Sequence, residues 1–245
     1  MTDITEQTNT QQLFQQELDK EKHGIENQSG AKKSKGPWTV RYHPKRLSGV
    51  VLPKSLSDTL HAFVKRGTFP PLIMSGASGI GKSAAAQTLL TELNVHAFEC
   101  DGTKEIKLNE CKSYAGTVSF NGLKKYIVVS DADLLSKKAQ AEYAAYIDYV
   151  SGNCGFILIA TKLKGLIASL RSRCAEIDFD DAIQKDKTFL IGEYNERVCQ
   201  ILDNESISYE RDDVVAVIKK YFPDFRRILN ECEARSASGK FLLQV

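Results

Sequence analysis

An α/β fold, a parallel sheet covered by helices on both faces and followed by a small all-helical unit, is what the sequence predicts. Three observations carry this. The segment Gly76–Ser83 reads GASGIGKS and stands between a short apolar run and a good helix former. From there to Phe179, apolar runs alternate with helical segments, the pattern of strands buried on both faces by crossover helices. From Asp181 to Ala237 only helical periods remain, over Phe189 to Leu202, Val214 to Tyr221 and Arg226 to Ala234.

Taken in order, residues 1–36 are rich in Gln, Thr, Asn, Lys and Glu with few apolar side chains, the composition of a polar, disordered segment. Between Pro37 and Pro53 the apolar mass rises with Trp38, Val40, Tyr42, Leu47, Val50, Val51 and Leu52, predicting a stretch packed on the α/β domain. Ser55–Arg66 carries Leu56, Leu60 and Val64 at helical spacing, with Ser55 and Ser57 as candidate caps. Leu72-Ile73-Met74 follows Pro70-Pro71 as a buried strand, and Ala84 to Leu93 as a helix. Val95–Cys100 reads as a strand, Lys104–Phe120 as a helix with Ile106 and Leu108 inward, and Tyr126–Val129 as a strand opening on Ser130-Asp131-Ala132-Asp133. Ala139–Tyr149 is helical by spacing, Phe156–Ala160 a strand, Leu163–Leu170 a short helix and Ala175–Phe179 the last strand. The expected domains are therefore 37–180 and 181–245, with no internal repeats.

The segment Gly76–Ser83 fits the pattern of two glycines five positions apart, then lysine and a hydroxyl residue. Gly76, Gly79 and Gly81 free the backbone to turn its N–H groups, including those of Ala77, Ser78 and Ile80, around phosphate oxygens. Lys82 supplies positive charge for the β- and γ-phosphates, Ser83 a hydroxyl for Mg²⁺, and the following helix aims its N-terminus at the same place. ATP and Mg²⁺ are the expected ligands. A chance glycine turn before a lysine is the competing reading, and the flanking strand and helix weigh against it.

Composition sets outer bounds. The 245 residues suit one large domain or two small ones, 42% hydrophobic content suffices for a core, and a net charge of +2 confines any nucleic-acid surface to a local patch. No run approaches the roughly 18 apolar residues of a membrane span, and residues 1–12 lack a basic-then-apolar leader. The six cysteines show no C-x-x-C pair and the four histidines no ligand pair, so scattered thiols in a reducing cytosol are expected rather than zinc.

Further residues, in order, carry a resemblance: Tyr42-His43-Pro44, GASGIGKS, a strand ending in an acidic cluster, Asn153-Cys154 before an apolar strand, Ser172-Arg173-Cys174, and Phe222-Pro223-Asp224-Phe225-Arg226-Arg227. Over residues 37–235 the chain resembles clamp-loader ATPase subunits of the AAA+ superfamily, in particular the large subunit of T-even-type bacteriophage loaders. The resemblance implies an AAA+ P-loop NTPase domain with a helical lid, acting in a ring with other subunits, a sliding clamp and primer–template DNA, in the host cytoplasm and at no membrane. It implies that Arg173 is an arginine finger reaching a neighbour's site, that Arg226 is the lid sensor of the γ-phosphate, and that Tyr42, Pro44 and the Val50-Val51 backbone line the adenine end. It also implies DNA contact from the helix bearing Lys104, Lys107 and Lys112, lysines that would equally serve as a solvated face.

The chain departs from the family pattern in three ways. The acidic cluster, Asp-Glu-any-Asp in the family, places Ser130 at the magnesium aspartate and Asp131 at the catalytic glutamate when Asp133 is aligned with the last position. A slip of one residue makes Asp131 the magnesium-side carboxylate and leaves Ala132 at the base. Either way one carboxylate is missing, and slow hydrolysis is expected. The polar sensor, usually asparagine, falls on Thr161 or Lys162, of which Thr161 can orient a water. The helical collar of the family does not follow the lid before Val245, which implies weakened self-assembly. Three readings remain: an ATP-driven clamp-loading subunit, a poorly hydrolysing ring member that lends Arg173 to its neighbour, and another AAA+ replication factor such as a helicase loader.

Overall fold

The computed structural model describes residues 36–95, 97–103, 108–117 and 124–243. The segment expected to be disordered therefore lies outside the described residues, as do Lys104, Ile106 and Lys107. Pro37–Val245 form one compact unit.

Five parallel strands make the sheet: β1 (Leu72–Ser75), β2 (Ala97–Asp101), β3 (Lys125–Ser130), β4 (Cys154–Ala160) and β5 (Ala175–Asp178), in the order β2-β3-β4-β1-β5. Leu72 pairs with Ile157 on one side and Ala175 on the other, and Val129 pairs with Cys100 and Leu158. The central strands β4 and β1 are buried along their whole length, which is why they read as unbroken apolar runs, whereas β5 at an edge buries only Ile177. Along each inner strand the side chains alternate between two cores. Leu72, Met74, Tyr126, Val128, Ile157 and Ile159 face α2 (Lys54–Arg66) and α3 (Lys82–Glu92). Ile73, Ile127, Val129, Phe156 and Leu158 face α4 (Leu108–Gly116) and α5 (Lys137–Val150), which supply Cys111, Ala115, Tyr143 and Ile147.

A third core belongs to α8 (Lys187–Asn204), α9 (Arg211–Tyr221) and α10 (Phe225–Arg235), where Tyr194, Val198, Ile201, Val214, Ile218, Ile228 and Cys232 meet. Trp38, from the short α1 (Trp38–Arg41), is buried among them. The N-terminal stretch thus packs on the lid as well as on the sheet domain. Its backbone is held there too: Trp38 N–H donates to Glu233 at 3.0 Å, and Arg41 pairs with Glu205 at 2.7 Å.

Several sequence expectations need correction. Neither Ser55 nor Ser57 caps α2, since Pro53 is its N-cap and Asp186 Oδ2 accepts the Lys54 N–H from afar at 3.0 Å. Leu163–Leu170 is not one helix but a 3₁₀ turn (Leu163–Gly165) and a separate α6 (Ala168–Arg171), because Leu166 and Ile167 are extended. β5 stops at Asp178, whose side chain caps a helix absent from the sequence reading, α7 (Phe179–Lys185). That helix straddles the expected boundary near residue 181, and Phe179, Ala182 and Ile183 still pack in the sheet's core. The change from mixed to purely helical pattern therefore precedes the change of core.

Candidate functional site

In an open parallel sheet, ligands bind beyond the carboxyl ends of the strands where the strand order reverses. Here that point is β1, flanked by β4 and β5, and the loop Gly76–Ser83 leaves its end. Gly81, at φ 96°, caps α3, and Lys82 opens the helix. The Lys82 side chain is buried, and its ammonium donates at 2.6 Å to each of the Gly76 and Ala77 carbonyls, leaving one of its three donors. Burial lowers its pKa, Arg226 adds to that lowering, and the carboxylates of Asp180, Asp131 and Asp133 act against it. Ile80 points away from the cleft, buried beneath Gly76, where a Cβ would meet its Cδ1 at 2.8 Å.

A cleft of about 240 Å³ opens over this loop. Ser78, Gly79, Gly81, Lys82 and Ser83 form its floor; Ser130, Asp131 and Thr161 come from the ends of β3 and β4. Thr39, Tyr42, His43 and Pro44, with Phe225, Arg226 and Leu229 of α10, complete its lining. Of the sequence-predicted residues, Val51 departs from this cleft. It lines a neighbouring hollow with Leu52 and Phe189 and packs between the sheet and lid cores. Arg173 is not among the cleft's lining residues either. It lies on the surface, donating to Asp148 at 2.7 Å and to the Ser169 carbonyl at 2.6 Å. Lys112 is exposed on α4.

The acidic cluster divides its labour. Asp133 turns back on the sheet, its two oxygens accepting the Thr161 and Lys162 N–H groups at 3.1 and 3.0 Å. It fixes the segment that follows β4 and is spoken for. Asp131, at φ 50°, occupies the left-handed region that Asp tolerates better than most residues. It and Ser130 are the groups of this cluster that line the cleft. The turn after β2 supports them: Gly102 N–H donates to the Ser130 carbonyl at 2.7 Å, and a Cβ at Gly102 would overlap the Asp131 carbonyl oxygen.

Two carboxylates to which the sequence reading gave no role touch the loop. Asp180 Oδ1 accepts the Ala77 N–H at 3.0 Å, showing that the loop amides already take an anionic oxygen. Asp224 caps α10 by accepting the Arg227 N–H at 2.9 Å, and it lies so close to Gly79 that a Cβ there would overlap Asp224 Oδ1. The Arg226 N–H also donates to the Gly79 carbonyl at 3.3 Å. Asp224 was legible as part of the motif before Arg226. Asp180 carried no signal, since an acid in the first turn of a helix reads as ordinary end stabilisation.

A parallel sheet in this order, with the glycine-rich loop at its reversal point and a helical unit beside it, is a fold of the AAA+ type. Among solved structures, the Thermotoga maritima RuvB Holliday junction branch migration motor has a TM-score of 0.62, covering 80% of this chain and 65% of that chain at 19% identity, a likeness of fold. In sequence, the chain is similar to clamp-loader subunits. It is 30% identical over 206 residues to the sliding-clamp-loader large subunit of Escherichia phage RB69, covering 81% of this chain and 64% of that protein. The Enterobacteria phage T4 large subunit is 28% identical over the same coverage. The replication factor C small subunit of Methanocella arvoryzae is 28% identical over 213 residues, 83% of this chain and 64% of that protein. The chain thus spans just under two thirds of the length of these relatives. No protein-family model matches it.

Proposed function

We propose that this chain is the ATP-binding module of a sliding-clamp-loader subunit, coupling nucleotide state to clamp loading at primer–template DNA in the cytoplasm of a host cell. The observation supporting this is the cleft itself, which brings Lys82 and Ser83 of the loop against Arg226 of the lid. In this reading Lys82 exchanges its carbonyl partners for β- and γ-phosphate oxygens, and Arg226 reads the γ-phosphate, so that lid angle follows nucleotide state. Tyr42 and Pro44 flank the adenine. Ser83 and Ser130 would hold Mg²⁺, which would supply charge neutralisation for the phosphates. Thr161 orients the attacking water, Asp131 accepts its proton, and Arg173 leaves Asp148 to stabilise charge in a neighbouring subunit's site.

ATP turnover of the chain, alone and with a sliding clamp and primed DNA, tests this. Stimulation by clamp and DNA together is the expected result; turnover indifferent to both would sink it. One observation favours a second reading, a ring member that binds ATP firmly and hydrolyses it slowly. Asp133 is engaged with the backbone of Thr161 and Lys162, which leaves a serine and a short carboxylate to do the work of two carboxylates.

A further inference from the structure

The sequence shows no cysteine pair, yet the fold makes one. Cys100, on β2, and Cys111, on α4, bring their Sγ atoms to 3.1 Å, and Tyr143 Oη lies 3.5 Å from Cys111 Sγ. Cys111 is fully buried, whereas Cys100, at an edge strand, is half-buried. Elsewhere the buried thiols are solitary packing groups: Cys154 faces a backbone carbonyl, Cys199 an asparagine, and Cys232 sits in the lid core.

We propose that Cys100 and Cys111 are a covalent modification site, closing to a reversible disulfide when a low-molecular-weight disulfide of the glutathione class supplies the oxidising equivalents. The half-buried sulfur is the one an outside disulfide reaches first. Cys100 loses its proton and attacks a glutathione sulfur; the first glutathione leaves and carries that proton away as a thiol. Cys111 then attacks the Cys100 sulfur of the mixed disulfide and expels the second glutathione as thiolate. Two protein thiols are oxidised and one glutathione disulfide is reduced to two thiols. The environment favours the second attack and makes the first, which needs the Cys100 thiolate, the slower step. The hydrogen bond from Cys100, with help from Tyr143, favours the Cys111 thiolate against the cost of burial. The same contact and burial hold Cys100 as the thiol.

The bond would tie β2 to α4 beside the catalytic end of β3. Cys100 stands opposite Val129 in register, Asp101 opposite Ser130, and the next residue, Gly102, donates to the Ser130 carbonyl.

The test is equilibration of the full chain in glutathione buffers stepped from reduced to oxidised, followed by acid trapping, alkylation after unfolding and peptide mass spectrometry. The expected result is a Cys100–Cys111 linked peptide, the two thiols disappearing together while Cys154, Cys199 and Cys232 remain alkylated. Cys111→Ser should lose the linked peptide completely and carry glutathione on Cys100. Cys100→Ser, a change at a half-buried position, should also lose it and leave Cys111 a free thiol. Wild-type chains in which both thiols persist in fully oxidised buffer, or in which Cys100 holds glutathione without the cross-link, would overturn the assignment.

Discussion

Asp131 enters the cleft from a left-handed backbone position, one residue beyond the end of β3, with Ser130 before it. That local geometry decides how far a short carboxylate reaches. Attack on a γ-phosphate needs an oriented water, and a displacement of about 1 Å costs on the order of 100-fold in rate. The double change Ser130→Asp with Asp131→Glu should therefore speed single-turnover hydrolysis by about 10–100-fold while leaving ATP affinity nearly unchanged. Single-turnover measurements in the assembled complex decide it; fast wild-type hydrolysis that the double change fails to improve would show that another group already activates the water. The cluster Ser130-Asp131-Ala132-Asp133 was legible in the sequence, but not which of its carboxylates the fold engages. That Asp133 is bound to the Thr161 and Lys162 amides depends on how β3 and β4 lie side by side, which no local pattern encodes.

At the scale of elements, α10 does two jobs through one residue. Asp224 caps the helix and leans on Gly79, so the start of the lid's last helix rests on the phosphate loop. Asp224→Ala should cost about 1 kcal/mol from the lost cap, seen as a lowered Tm. Gly79→Ala is the harsher change, since Gly79 has φ 75° and its new Cβ would meet the Asp224 carboxylate. It should push the lid off the loop and weaken ATP binding by more than tenfold in a nucleotide titration, and an unaltered affinity would mean the lid contact is dispensable. The inner strands were legible as unbroken apolar runs, and the lid helices because each is long enough to show its period. α7 escaped because seven residues opening on two acids give little period to read. The link from Leu163 to Leu170 misled because apolar residues at helical spacing were split by an extended Leu166-Ile167.

The described residues form a sheet domain and a lid, with residues 37–53 as a strap between them. Trp38 is 3% exposed inside the lid core, and Tyr42, four residues on, bonds Glu205 of the lid while lining the cleft. Trp38→Ala should cost about 3–5 kcal/mol in denaturant unfolding and also loosen the cleft. Between molecules, Arg173→Ala should leave nucleotide affinity intact, because its partners are Asp148 and a backbone carbonyl, not the cleft. Assembly-dependent turnover should fall about 10³-fold or more; turnover equal to wild type would remove the ring reading. The Arg173 prediction presupposes that ATP occupies the cleft over Lys82. A calorimetric titration of MgATP into the wild-type chain and into folded Lys82→Ala is the most direct measurement of that. Saturable one-to-one binding to the wild type, abolished in the variant, is the predicted result, and equal binding by both, or none by the wild type, would contradict it.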